Sequence, residues 1–123
     1  MGKYYIGFDA GTQSVKTALY SLDMECIAES SYLTKLYYPH PGWVEMDVDE
    51  YLEAAVKGIR DCTAEAVKQG IDPSEIRAIF GDGIICGIVG VNEDGRAITP
   101  YINYLDSRTQ KDAEQLAEMN LSI

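Results

Sequence analysis

Five residues at the turn between two apolar runs carry groups that could bind a phosphate or its metal ion. They lie in IGFDAGTQSVKTALY, where Asp9 ends the first run and Gly11, Thr12, Gln13 and Ser14 follow. Gly11 can adopt a positive φ without steric cost, so that backbone N–H groups can point inward beside the side-chain donors. Asp9 could hold Mg²⁺ through a water molecule. An ordinary tight turn uses the same residue types, and these residues alone favour that simpler interpretation.

The overall composition excludes several classes of function. The net charge of −10 disfavours nucleic acid as a partner. No stretch of about 18 apolar residues is present, so we expect no membrane span. Three cysteines, an odd number in apolar surroundings, are interpreted as buried thiols of a reducing, cytoplasmic compartment.

The first half of the chain predicts three strands and a long helix. Strands over residues 3–8, 15–22 and 26–35 have short connections and should form an antiparallel meander. After a proline-containing segment, Asp47 and Glu50 predict a capping box for a helix over residues 48–69. Its expected core-facing stripe has three- and four-residue spacing and consists of Leu52, Val56, Ile59, Thr63, Ala66 and Val67.

The second half predicts shorter elements. A strand over residues 76–80 is followed by a hairpin of residues 84–91 and 97–104, joined at the NEDG turn. Ser107 and Gln110 predict a second capping box, which opens a helix that runs to about Met119. The element order therefore begins β-β-β-α-β, which differs from the simple alternation of a dinucleotide-binding fold.

Three segments in this order resemble the FGGY carbohydrate kinases: IGFDAGTQSVKTALY, PGWVEMD and the block DG…PYINYLDSRT. The resemblance implies an α/β fold of the actin-like, RNase H-like type in two domains. It implies ATP and Mg²⁺ as cofactors, and transfer of the γ-phosphoryl group to a hydroxyl of a small sugar. A different actin-like ATPase is disfavoured, because PGWVEMD and YLDSRT are typical of the sugar kinases.

The resemblance also implies roles for residues. Asp9 matches the aspartate that approaches Mg²⁺ and the phosphates, and Gly11, Thr12 and Gln13 match the loop beside the γ-phosphate. Ser14 adds a further donor. Lys16 falls where the family often has a basic residue, or is simply an exposed strand residue.

The sugar pocket departs from the better-known members. The stretch after the fourth strand, GIICG, has neither the Arg-Glu of glycerol kinases nor the Gln-Met-His of xylulokinases. Ile85 and Cys86 fall at these positions but donate no strong hydrogen bond, whereas Asp82 could bind a hydroxyl. Tyr104 matches an aromatic that packs on the substrate, and Asp106 follows it. Strand packing for Tyr104, and a helix-capping ion pair of Asp106 with Arg108, are equally good interpretations.

The sugar itself stays open among pentuloses, hexuloses, polyols and a furanone, although the spacing of the last block favours a xylulokinase-like member. The resemblance implies that residues 1–123 form the N-terminal portion of the first domain, with the catalytic aspartate and the second domain beyond the chain end. We therefore expect no kinase activity from this chain alone, and self-association through its incomplete sheet. The alternative is a non-catalytic phosphate-binding, sugar-binding or interaction module.

Overall fold

A computed structural model describes residues 3–119, which fall into two compact units. Unit 1 comprises Met1–Lys35 and Asp47–Ile85, and unit 2 comprises Leu36–Met46 and Cys86–Ile123. The strands are β1 (Tyr4–Ala10), β2 (Ser14–Ser21), β3 (Cys26–Leu33), β4 (Glu45–Met46), β5 (Ile76–Gly83) and β6 (Tyr101–Ile102). The helices are α1 (Val48–Lys68) and α2 (Gln110–Glu118), with a 3-10 turn at Pro73–Glu75.

Unit 1 is a four-stranded mixed sheet in the order β3-β2-β1-β5. β1, β2 and β3 form the predicted antiparallel meander, and β5 returns after α1 to pair with β1 in parallel. The predicted order β-β-β-α-β is therefore confirmed. β1 lies inside the sheet, so both of its edges are hydrogen-bonded and its carboxyl end is held firmly.

One face of this sheet packs on α1. Alternate residues of β2 (Val15, Thr17 and Leu19) are buried, as expected for a strand with one covered face. The core under the helix contains Ile6, Leu19, Ala28, Cys62 and Ala66. The other face carries the odd-numbered residues of β1, which include Asp9.

Helix α1 begins and ends where the sequence predicts. The Asp47 carboxylate accepts the N–H groups of Asp49 (2.9 Å) and Glu50 (3.0 Å), and Gly70 follows the helix with φ +81°. The predicted core-facing stripe is wrong in part, because Leu52 and Val67 are 60% and 52% exposed. The buried face instead consists of small residues: Ala54, Ala55, Gly58, Cys62 and Ala66. Small side chains let the helix backbone approach the sheet closely.

The second half of the chain contains less strand than predicted. The expected hairpin of residues 84–91 and 97–104 is reduced to isolated bridges, Ile88 with Ile102 and Val91 with Ala97, plus the two-residue β6. Cys86 has φ +63°, which is incompatible with a continuous strand. β6 pairs with β4, so unit 2 joins its two chain segments through a short antiparallel ladder.

Two further predictions are wrong. Ser107 does not cap α2, because its hydroxyl donates to the Gly42 carbonyl at 3.1 Å and the capping position falls at Thr109, without a side-chain cap. The three cysteines are free thiols, but only Cys62 is buried, whereas Cys26 and Cys86 are exposed. Burial raises the pKa of the Cys62 thiol.

Candidate functional site

Asp9 sits in the middle of a row of charged side chains on the sheet face away from α1. Its cross-strand partners are Lys16 on β2 and Asp82 on β5. Directly paired residues point to the same face, so all three share this surface. The sequence assigns Asp9 to phosphate and Asp82 to sugar, but the sheet places them side by side. Asp9 and Lys16 also line a depression of about 710 Å³ on this face.

The turn that follows β1 is closed by Gly11. Its N–H donates to the Ser14 carbonyl at 3.0 Å, and a Cβ at Gly11 would lie 3.1 Å from the same oxygen. Gly11 is not among the glycines with positive φ, so this turn does not use the left-handed conformation that glycine can adopt. The glycine is needed here for close approach instead, and its own N–H is not available to a ligand.

Two other amides of this turn are unpaired. The Thr12 carbonyl accepts the Thr34 hydroxyl at 2.5 Å, and the Gln13 carbonyl accepts the Thr34 N–H at 3.0 Å. Within residues 3–119, the N–H groups of Thr12 and Gln13 have no hydrogen-bond partner. Consecutive N–H groups without a protein partner are the type of donor that binds anions. The donor set therefore fits a phosphate.

The end of β1 is held from two directions. The Ala10 carbonyl accepts both the Tyr51 hydroxyl of α1 and the Ile84 N–H, the latter at 3.1 Å. These bonds fix the point at which the turn begins. Neither Tyr51 nor Thr34 is singled out by the sequence, because a threonine after a strand and a tyrosine on a helix have no distinctive local pattern.

Unit 2 contains a pocket of about 250 Å³. Three predicted sugar residues line it, namely Cys86, Tyr104 and Asp106, whereas Asp82 and Ile85 belong to unit 1. The other lining residues are Gly87, Ile88, Ile102, Asn103, Arg108 and Thr109. The pocket thus has an apolar wall and an aromatic side chain that is 54% exposed at Tyr104.

Both carboxylate oxygens of Asp106 are engaged. Oδ1 accepts the Arg108 N–H and Nε–H, both at 2.9 Å, and Oδ2 accepts Arg108 Nη2–H at 2.8 Å and the Val44 N–H at 2.6 Å. The Asp106 side chain is only 3% exposed. The Arg108 guanidinium holds the pKa of this carboxyl well below its usual range, despite the opposing effect of desolvation.

Arg108 extends this network to the PGWVEMD segment. Its Nη2 lies 2.7 Å from Glu45 Oε1, and its guanidinium carbon lies 3.8 Å from the centre of the Trp43 ring. His40 packs edge-on against the same ring. The ion pair predicted between Asp106 and Arg108 is therefore present, but it joins two segments of unit 2 and does not cap α2.

Residues 3–119 contain no cluster of three or more His, Cys, Asp or Glu side chains that could hold a metal ion. No helix in the same part of the chain is both long and apolar enough to cross a membrane.

Comparisons with known proteins agree on one family. Residues 4–122 match the N-terminal domain of the FGGY family of carbohydrate kinases. A glycerol kinase of Citrifermentans bemidjiense is 35% identical over 124 residues, covering 97% of this chain and 24% of the relative.

Solved structures give the same result. The xylulose kinase of Rhodospirillum rubrum superimposes with a TM-score of 0.83 at 27% identity, over 95% of this chain and 23% of that one. The gluconate kinase of Lactobacillus acidophilus also gives 0.83, at 26% identity, over 96% and 23%. The chain spans about a quarter of the length of the proteins it matches.

Proposed function

The chain belongs to the FGGY family of carbohydrate kinases, and from this premise we propose that it serves ATP-dependent transfer of the γ-phosphoryl group to a hydroxyl of a small sugar. It has the α/β, actin-like fold of that family. In this proposal, residues 1–123 are the N-terminal portion of the first kinase domain, in the cytoplasm. Unit 1 contributes the phosphate loop, defined as residues 9–14, and unit 2 contributes part of the sugar pocket.

The unpaired amides of Thr12 and Gln13 carry the proposal for the phosphate loop. They would donate to phosphate oxygens, together with the hydroxyls of Thr12 and Ser14. Asp9 would hold Mg²⁺ through water, since magnesium sheds its hydration shell reluctantly. Bound Mg·ATP supplies the phosphoryl group and a cation that neutralises its charge. Lys16, opposite Asp9 on β2, lies where a cation would offset the remaining charge.

The sugar would lie against Tyr104 and Cys86 in the pocket of unit 2. An exposed aromatic face packs well on the C–H groups of a sugar. The oxygens of Asp106 are already engaged, so Asp106 would hold the pocket wall in place. Asp82 and Ile85 stay candidates for sugar contact from unit 1. The xylulose kinase neighbour, together with the spacing of the last sequence block, favours a xylulose-like ketose as substrate.

Amide NMR with ¹⁵N-labelled chain tests the phosphate loop. On addition of Mg·ATP, we expect the amide resonances of Thr12 and Gln13 to shift more than those of other residues. Asp9→Asn should weaken binding in Mg²⁺ roughly tenfold, because a charged ligand of the hydrated cation is lost, and should have little effect when EDTA is present. Shifts confined to other parts of the chain would contradict this assignment. Titration with a panel of ketoses, polyols and sugar acids, followed at the amide resonances of Tyr104 and Cys86, tests the sugar pocket in the same way.

The alternative function, a non-catalytic interaction module, predicts that the chain associates with itself and binds neither a nucleotide nor a sugar specifically. β5 is the edge strand next to β1, and its Ile79 and Phe80 are 51% and 61% exposed. We propose that a second copy covers this edge. Sedimentation at low micromolar concentration should therefore give more than the 13.6 kDa of one chain. Ile79→Lys should restore the monomer, whereas Leu33→Lys on the opposite edge strand should not. A monomeric wild-type chain would refute association.

A further inference from the structure

We propose that Thr34, the residue after β3, is a positioning residue that orients the Gln13 amide of the phosphate loop. This inference rests on the proposed function, because it concerns the same phosphate site. Thr34 is separated from Thr12 by 22 residues, yet it contacts two consecutive carbonyls of the loop. Among residues 3–119, Thr34 forms hydrogen bonds to both peptide groups that flank Gln13.

Peptide planarity gives these two bonds their effect. In a trans peptide the C=O and the following N–H point in opposite directions. The Thr34 hydroxyl holds the Thr12 carbonyl toward the protein at 2.5 Å, so the Gln13 N–H must point away from it. The Thr34 N–H holds the Gln13 carbonyl in the same way at 3.0 Å. The two peptide planes on either side of Gln13 are therefore restricted in their rotation before a ligand binds.

The hydroxyl is the part of this arrangement that mutation can remove. The main-chain N–H of Thr34 persists in every variant, whereas Thr34→Val replaces only Oγ1 by a methyl group of similar size. Without the hydroxyl, the Thr12–Gln13 peptide is free to rotate, and a ligand must fix it on binding. A single hydrogen bond of this kind corresponds to roughly a fivefold change in affinity.

A matched control lies in α1, where the Thr63 hydroxyl donates to the Ile59 carbonyl at 2.8 Å. Thr63→Val removes the same type of bond at a site remote in sequence from the loop. We therefore expect Thr34→Val and Thr63→Val to cause similar small losses of thermal stability. Only Thr34→Val should weaken Mg·ATP binding, about fivefold, and should accelerate hydrogen exchange at Gln13. Thr34→Ser, which keeps the hydroxyl, should bind like the wild type.

Amide NMR titration of the four proteins with Mg·ATP and with Mg²⁺ tripolyphosphate separates the outcomes. Equal affinities for wild type and Thr34→Val would overturn the positioning role while leaving the phosphate site intact. Equal weakening by both valine variants would also overturn it, because the effect would then be general. If the wild-type loop amides respond to neither ligand, the proposed phosphate site fails, and the role of Thr34 fails with it.

Discussion

Arg108→Met should disrupt the packing of unit 2. The substitution keeps an unbranched chain but removes the cation shared by Asp106 and Glu45, whose side chains are 3% and 15% exposed. Two shielded carboxylates would then lie close together without a counter-charge, an arrangement that is strongly disfavoured. We expect the fluorescence of Trp43, which is the only tryptophan, to shift to longer wavelength as the ring loses its guanidinium cover.

Acid titration gives the same prediction a second measurement. A carboxyl whose pKa is lowered on folding stabilises the protein above its unfolded pKa, and this contribution disappears as the pH falls through the folded pKa. In the wild type, Asp106 should therefore keep the Trp43 signal native well below pH 4. In Arg108→Met, the two shielded carboxylates lack a counter-charge, so their protonation stabilises the variant. We expect its Trp43 signal to be perturbed at neutral pH and to return toward the native value as the pH falls to about 4, the ordinary range of aspartate.

Arg96→Met is the matched control, since Arg96 is an exposed arginine of the same unit. It should leave both the emission maximum and the acid transition unchanged. Arg108→Lys keeps the charge but not the planar fork, so we expect an intermediate result. Native Trp43 emission and an unchanged acid transition in Arg108→Met would show that the network does not hold unit 2 together.

Gly58→Ala should destabilise unit 1, although alanine is the better helix former. Alanine in a helix interior gains about 1 kcal/mol over glycine. The new Cβ, however, would lie 2.3 Å from Thr17 Oγ1 and 3.0 Å from Thr17 Cβ. Overpacking of this kind costs about 1–3 kcal/mol, and the contact here is at the severe end. We expect a net loss of about 1–2 kcal/mol in urea unfolding followed by circular dichroism.

Thr17→Ala tests whether this contact is the cause. Among residues 3–119 the buried Thr17 hydroxyl has no hydrogen-bond partner, so its removal makes room at little cost. The double variant should recover much of the stability lost in Gly58→Ala. Gly7→Ala is the control, because a Cβ there meets no atom of the described part of the chain within 4 Å. A Gly58→Ala protein as stable as the wild type would mean that α1 and β2 can move apart freely.

The elements of unit 1 were predictable because their signals are local. Alternating apolar residues and short turns specify the meander, and Asp47 caps α1 through N–H groups only two and three residues away. The buried face of α1 was not predictable in this way. A stripe of large apolar residues is the usual signal, whereas here the contact depends on the fit of Gly58 against Thr17.

The site was predictable only in its residue types. The segment around Asp9 indicates phosphate chemistry, but the free Gln13 amide depends on Thr34, which no spacing rule connects to it. Asp106 illustrates the opposite case, since sequence left its role open between sugar contact and an ion pair. Only the Val44 N–H, more than 60 residues away, and the guanidinium of Arg108, which Glu45 also holds, show that its oxygens are used inside the protein.

The division of the chain has a consequence for protein engineering. Each unit is assembled from two separated segments, so the backbone crosses between units at residues 35/36, 46/47 and 85/86. No single cut can release either unit whole, and a fragment that ends before residue 86 lacks most of unit 2. An independent version of unit 2 would have to be spliced, with Met46 joined to Cys86 through a designed linker. Because the backbone passes between the units three times, both units have to be expressed together as one polypeptide unless the chain is redesigned.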